Sequence, residues 1–231
     1  MSRIYDNLNI AVNEIERDLH EMGTLVRTMS MQNKLIEEDD DTYDTLELQN
    51  YSFTILNLKN IDKEIEPKVL KWCESEFKER ISDNFTNPGE AWKLREEVWK
   101  EFLTDEKFCY TYNERINNFD QLNKIIDELT ENPNTRQAVL DIHSASDNNK
   151  LRKSRIPCSL SYQFLIRNKK LNIIYNMRSS DFYTHFKNDI WLANKMLTYI
   201  AGILKIPVWS LHMNIGSLHI YKKYQSEKNV F

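Results

Sequence analysis

Glycine is scarce in this chain, with four among 231 residues. No Gly-x-Gly-x-x-Gly and no Gly-x-x-x-x-Gly-Lys-Ser/Thr run can be drawn from them, so those two backbone cradles for nucleotide phosphates are excluded. Three cysteines, at positions 73, 109 and 158, are odd in number and form no Cys-x-x-Cys pair. That spacing speaks against a disulfide framework and a zinc site, and fits a reducing compartment. No apolar run reaches the roughly 18 residues that a membrane span needs. Met1-Ser2-Arg3-Ile4-Tyr5-Asp6 lacks the apolar core of a secretion signal, so a cytoplasmic location is expected. The net charge is −4, which gives no bulk attraction for nucleic acid, and no direct nucleic-acid binding is expected.

The chain does hold enough apolar residues, 41% of the total, to bury one sizeable core. It reads as a single domain over 1–231, with 1–44 forming an N-terminal helix and a variable acidic loop. Ile4, Leu8, Ala11, Val12, Ile15 and Leu19 fall on one helical face, predicting a helix over 4–20. Glu37-Glu38-Asp39-Asp40-Asp41 lacks calcium-loop spacing and reads as a solvated loop. Leu46 and Leu48, then Tyr51, Phe53 and Ile55, predict a strand whose phase slips near Gln49-Asn50. Helices are expected over 61–80, 90–102 and 119–129, the last with Phe119 on its apolar stripe. The second half turns strand-rich. A strand is expected over 138–142, a loop over 144–153, and a hairpin of 159–166 with 171–175. An apolar helix over 190–204 and strands at 208–213 and 218–221 follow. Helices and strands mix without a βαβ rhythm, so the fold class is α+β.

The chemistry-bearing strings lie in that second half. Pro157-Cys158 opens an alternating run. Asn176-Met177-Arg178-Ser179-Ser180-Asp181 follows, then Asn188-Asp189, then Asn214-Ile215-Gly216-Ser217-Leu218-His219-Ile220-Tyr221. Taken alone, each has a bland account. An isolated cysteine is most often an inert buried thiol, and that account stands for Cys73 and Cys109. An isolated arginine is most often a surface ion pair. Together and in this order, the strings resemble the thymidylate synthase family, within it the branch of deoxycytidylate hydroxymethylases from large bacteriophages. The resemblance spans about 45–224 and is strongest over 155–221.

The resemblance implies a thymidylate synthase-like fold, with a large mixed sheet packed by helices and a homodimer formed through the sheet. It implies a one-carbon transfer to C5 of a pyrimidine nucleotide bound in a cavity against that sheet, with 5,10-methylenetetrahydrofolate as co-substrate. Cys158 falls on the nucleophile, whose thiolate adds to C6 and so activates C5. Arg178, twenty residues later, and Ser179 fall on phosphate-binding positions, where a guanidinium fork suits a phosphate dianion. Arg136 falls on the first of a pair of arginines that reach the phosphate of the neighbouring subunit. The second position of that pair is Gln137. His219 and Tyr221 fall on the pair that holds the sugar hydroxyl, and their i, i+2 spacing puts both on one strand face. Asp181 falls on a folate-contacting aspartate, although it would equally serve as a helix N-cap. Arg27 offers a further phosphate contact. No metal ligand is implied.

Asp189 stands eight residues after Asp181, where the resemblance implies an asparagine for uracil. A carboxylate accepts from the exocyclic amine of cytosine and opposes the carbonyl oxygen of uracil, so dCMP is the expected substrate. A one-residue shift would place Asn188 there instead and restore uracil. One implied group is missing. A glutamate is expected three residues before Trp72, and position 69 is valine; Glu66 and Glu74 are the nearby alternatives. Tyr110-Thr111-Tyr112 also lacks the glycine and tryptophans expected there, and the segment after Tyr221 is short. Two other outcomes therefore remain: a nucleotide-binding relative without normal turnover, and a dUMP-specific enzyme.

Overall fold

A computed structural model describes residues 3–31, 34–151 and 153–225. Its elements are β1 (Arg3–Asn7), α1 (Leu8–Met22), β2 (Thr24–Val26), β3 (Ser30–Met31), β4 (Lys34–Leu35), β5 (Thr45–Asn57), α2 (Pro67–Arg80), α3 (Glu96–Trp99), α4 (Tyr112–Asn117) and α5 (Gln121–Glu131). They continue with β6 (Val139–Asp141), β7 (Ser159–Arg167), β8 (Lys170–Asp181), α6 (Lys187–Leu204), β9 (Val208–Tyr221) and α7 (Lys222–Gln225). The fold is α+β. Its main sheet runs β1-β5-β9-β8-β7-β6, with β2 also on β5. β8 and β9 are parallel and are joined through α6, while β5–β9, β7–β8 and β6–β7 are antiparallel.

The sequence forms these elements for local reasons. Asn168 and Lys169, both at positive φ, make a two-residue hairpin turn between β7 and β8. Burial alternates along β8 from Leu171 to Met177, as a sheet covered on one face requires. α6 is buried nearly all round, including Ile190, Trp191, Met196 and Ile200, and packs between the sheet and α2 and α5.

Four central strands switch faces at one level. On β5 the buried residues pass from Leu48 to Phe53 and Ile55, with Asn50 at φ 52° between them. On β9 burial passes from Leu211, Met213 and Ile215 to Leu218 and Ile220. On β8 it passes from Met177 to Ser180, and on β7 from Ser159 to Tyr162 across a register shift. Below that level one face of the sheet carries a polar ladder. Ser52 donates to Asn214 at 2.8 Å, Asn214 to Asn176 at 2.9 Å, and Asn176 to Ser161 at 3.2 Å.

Several expectations are corrected. Residues 3–7 form a strand, not the start of the first helix, because the free edge of β5 pairs them in parallel. Ile4 is therefore 67% exposed, and Asn7 caps the helix by accepting from the Ile10 N–H. The segment 61–66 is a short 3-10 turn before α2, and 90–102 is a chain of single turns about α3. Phe119 is 79% exposed, because positive φ at Phe119 and Asp120 delays α5 to Gln121. Part of the expected 144–153 loop is a 3-10 turn over Ala145–Lys150. The two strands expected at 208–221 are one continuous β9. Gly216 permits this, since a Cβ there would sit 2.8 Å from the Arg178 carbonyl oxygen. Gly216→Ala is expected to force the two strands apart and destabilise the protein by about 1–3 kcal/mol, read from the urea midpoint. An unchanged midpoint would show that the β8–β9 approach is not tight.

Candidate active site

The face switch gathers the chemistry. Cys158 precedes β7, and its carbonyl accepts from the Arg178 backbone N–H at 2.8 Å. The Arg178 side chain turns back over the same loop. Its Nε donates to the Pro157 carbonyl at 2.9 Å and its Nη2 to the Ile156 carbonyl at 3.0 Å, with Nη2 3.7 Å from Cys158 Sγ. The thiol is half-buried beside a guanidinium, not sealed in hydrocarbon.

On β8 and β9 the parallel register sets Ser179 beside Ser217 and Asp181 beside His219, and β5 brings Glu47 to His219 from the other side. His219 is 7% exposed and meets the Tyr221 ring edge-on at 5.0 Å. Burial lowers its pKa, assisted by Arg178, while Asp181 and Glu47 pull the other way. Burial also raises the Tyr221 phenol. Asp181 caps the helical turn before α6, accepting from the Tyr183 and Thr184 N–H groups at 3.2 and 3.3 Å.

Asp189 and Asn188 point to different partners. The Asn188 amide donates to the Thr184 carbonyl in the helical turn before α6 at 3.0 Å. Asp189 instead reaches across to β8, where the Ser180 hydroxyl donates to its Oδ2 at 3.0 Å. Burial pushes the Asp189 carboxyl up to about 7. Asp181 adds to the rise, and Ser180, Arg80 and Arg95 oppose it.

The structure thus brings together Cys158, Arg178, Ser179, Asp181, Asp189, His219 and Tyr221. It does not bring Arg136 to them: that side chain is exposed ahead of β6, at the sheet's far edge. Arg27 is not available for phosphate either. It donates to the Asp44 carboxylate and to the carbonyls of Glu37 and Glu38, pinning the acidic loop. Val69 is half-buried against the core, and both Glu66 and Glu74 are exposed, so neither replaces an acid at that position. Cys73 is an inert buried thiol, pushed up to about 12 by burial. Cys109 departs from that expectation: it is exposed and donates to the Arg155 carbonyl. Two surface depressions of about 690 and 680 Å³ lie at Glu96–Glu101 and around Phe85 and Phe119, and neither includes a residue of the Cys158 cluster. The segment after Gln225 lies outside the described residues.

Sequence reading missed the neighbouring aromatic wall. Trp72 stacks on Trp99 at 5.8 Å. Arg155 lies over Trp99 at 4.4 Å and over Tyr110 at 5.1 Å. His185 lies against Trp99 and is driven down to about 3 by burial, with Arg95 and Arg155 acting in the same direction. Trp99 and Tyr110 thus share the Arg155 guanidinium. An arginine three residues before Cys158 was the available signal. Its role is set by rings that arrive from distant segments.

The raised Asp189 carboxyl has a stability consequence. Between about pH 4 and pH 7 the folded chain holds a proton there that the unfolded chain has lost, so this group's contribution falls as pH rises through that window. His185, depressed from 6.5 to about 3, contributes in the opposite sense, so the difference between variants is the clean reading. Relative to the parent, Asp189→Asn is expected to gain on the order of 2–3 kcal/mol between pH 5 and pH 8, read from urea midpoints. A difference that does not change with pH would overturn the raised carboxyl.

Comparison with known proteins agrees with this fold. The family model described as thymidylate synthase matches residues 78–229. The deoxycytidylate 5-hydroxymethyltransferase of Enterobacteria phage T4 is 28% identical over 195 residues, covering 80% of this chain and 69% of that protein. A putative thymidylate synthase of Methanococcoides burtonii is 28% identical over 153 residues, covering 61% and 70%. The crystal structure of thymidylate synthase from T4 phage superposes with a TM-score of 0.71 at 17% identity, covering 95% of this chain and 79% of that one. The chain belongs to the thymidylate synthase family.

Proposed function

We propose that this chain is a one-carbon transferase acting at C5 of dCMP, with hydroxymethyl the group delivered and 5,10-methylenetetrahydrofolate the co-substrate. The observation that carries the cytosine assignment is the division of labour on α6. Asn188 spends its amide on the helical turn just before α6, and Asp189 presents a carboxylate toward β8. Ionised, that carboxylate accepts from the exocyclic amine of cytosine. Against uracil it meets a carbonyl, and an acceptor facing an acceptor in a buried site is strongly disfavoured.

The remaining roles follow from the cluster. Cys158, as thiolate, forms the bond to C6, and Arg178 lies close enough to stabilise its negative charge. The nucleotide phosphate takes the place of the Ile156 and Pro157 carbonyls on the Arg178 fork, joined by Ser179. Arg136, exposed and far from its own Cys158, serves the partner subunit of a homodimer formed through the sheet. His219 and Tyr221 hold the sugar hydroxyl. The folate fits the wall beside Cys158, where the flat faces of Trp72 and Trp99 stack and, among the described residues, the Trp99 indole N–H and the Tyr110 hydroxyl are buried without partners. When bound it supplies the carbon. Asp181 orients that end of the site through its cap on the turn before α6.

Val69 favours a second reading, a relative that binds nucleotide without normal turnover, because a missing acid or base typically lowers rates 10²–10⁴-fold. Tritium release from [5-³H]dCMP with methylenetetrahydrofolate separates the two, and product mass identifies the group transferred. Cys158→Ser is expected to abolish release while dCMP binding stays measurable. Asp189→Asn is expected to move the dCMP/dUMP preference toward dUMP by about 10²-fold. An unchanged ratio would remove Asp189 from base recognition. Binding without release in the parent protein would establish the second reading, and a parent preference for dUMP would overturn the cytosine assignment.

A further inference from the structure

Arg95 is a buried cation with unfinished bonding. It ends the 3-10 turn Ala91–Arg95, is 7% exposed, and holds its guanidinium 5.1 Å above the Trp72 ring. Among the described residues its Nη1 has no hydrogen-bond partner, and neither has the Trp72 indole nitrogen. The ring contact accounts for where the guanidinium plane lies and leaves Nη1 unbonded. A buried donor in that state costs about 1–3 kcal/mol, more when charged, so the position calls for an acceptor that the free chain does not supply.

The location of Arg95 narrows that acceptor. Trp72 lies three residues after Val69, one turn along α2. Trp72 and Cys73 stand on α2, and α2 packs against α6, the helix that carries Asp189. Of the two Asp189 oxygens, Oδ2 is engaged by Ser180. An unused donor on the α2 side of that helix contact and a carboxylate oxygen on the α6 side match the edge of cytosine, where the ring nitrogen N3 accepts and the neighbouring amine donates.

We propose that Arg95 is a second base-facing residue, donating to N3 of the pyrimidine whose exocyclic amine Asp189 holds. This rests on the pyrimidine-nucleotide reading above. The assignment also supplies what position 69 lacks. When the Cys158 sulfur bonds to C6, the C5–C6 π pair becomes a C5–C4 π bond and the C4–N3 π pair moves onto N3. A guanidinium fixed at N3 stabilises that charge without transferring a proton. The pairs return when the C6–S bond breaks.

The test compares binding of dCMP with its 3-deaza analogue, in which a C–H replaces N3, by calorimetry. The parent protein is expected to prefer dCMP by about 10–100-fold, the range for one hydrogen bond to a charged group. Arg95→Met is expected to bind both alike, and Arg95→Lys to keep part of the preference. Where tritium release is measurable, Arg95→Met should lower kcat by about 10²–10³-fold with a smaller change in KM, and added guanidinium ion should restore Arg95→Ala. A packing role alone would shift the melting temperature and leave the dCMP/3-deaza ratio intact in both variants, overturning the proposal. If Arg95→Met fails to fold, the lysine variant decides: a ratio equal to the parent's overturns the assignment. If the parent binds dCMP but does not distinguish it from the analogue, only the Arg95 assignment falls. If the parent binds neither dCMP nor dUMP, the nucleotide reading itself falls.

Discussion

Four strands change the side on which they are buried at one level of the sheet, and the site is a consequence of that change. With strict alternation kept, the odd-numbered residues of β8 and β9 would continue into the core beside Tyr175 and Met213. The switch at Leu160, Arg178, Gly216 and Asn50 carries Asp181, His219 and Tyr221 off that face and sends Ser180 inward to Asp189 instead. A kink in one strand would break its pairing with both neighbours. Four kinks in line preserve the pairing, and Gly216 allows the closest approach by having no side chain to place against Arg178.

Two kinds of electrostatics meet at this level. Around Cys158 the neighbours are guanidinium groups, with Arg178 at 3.7 Å and Arg155 held among aromatic rings. At Asp189 the surroundings are buried, and desolvation outweighs the pull of Arg80 and Arg95, so the carboxyl titrates near neutrality. A carboxyl in that state can accept or donate near neutral pH, and it is kept there at the expense of stability. Carrying such a group in the core is common where selection has acted on chemistry.

Much of the site was legible in local sequence. The hairpin with its polar turn, the amphipathic stripe of α1 beyond Leu8, and the slip near Gln49-Asn50 all follow from periodicity and turn chemistry. So does the proximity of His219 and Tyr221, two residues apart on a strand. The errors have physical causes too. Ile4 fits a helical stripe, but a parallel partner strand outbid the helix at its first turn. Phe119 fits another stripe, but two left-handed residues placed it outside. Cys109 was grouped with the buried thiols and stands at the surface. Arg95 was invisible because nothing in its own segment marks it, and Arg155 was marked only by standing three residues before Cys158. Their meaning comes from Trp72, Trp99 and Tyr110, which are distant in the chain.

By itself the sequence determined the α+β class, the β7–β8 hairpin, the apolar stripe of α1 and the family, because these depend on short-range pattern and spacing. Only the tertiary structure decided which of two adjacent α6 side chains faces β8, that Arg27 is committed to the acidic loop, and that Arg95 and Trp72 are buried with donors unpaired among the described residues. Those outcomes depend on burial and on partners that the fold supplies from other elements, which local periodicity and spacing do not encode.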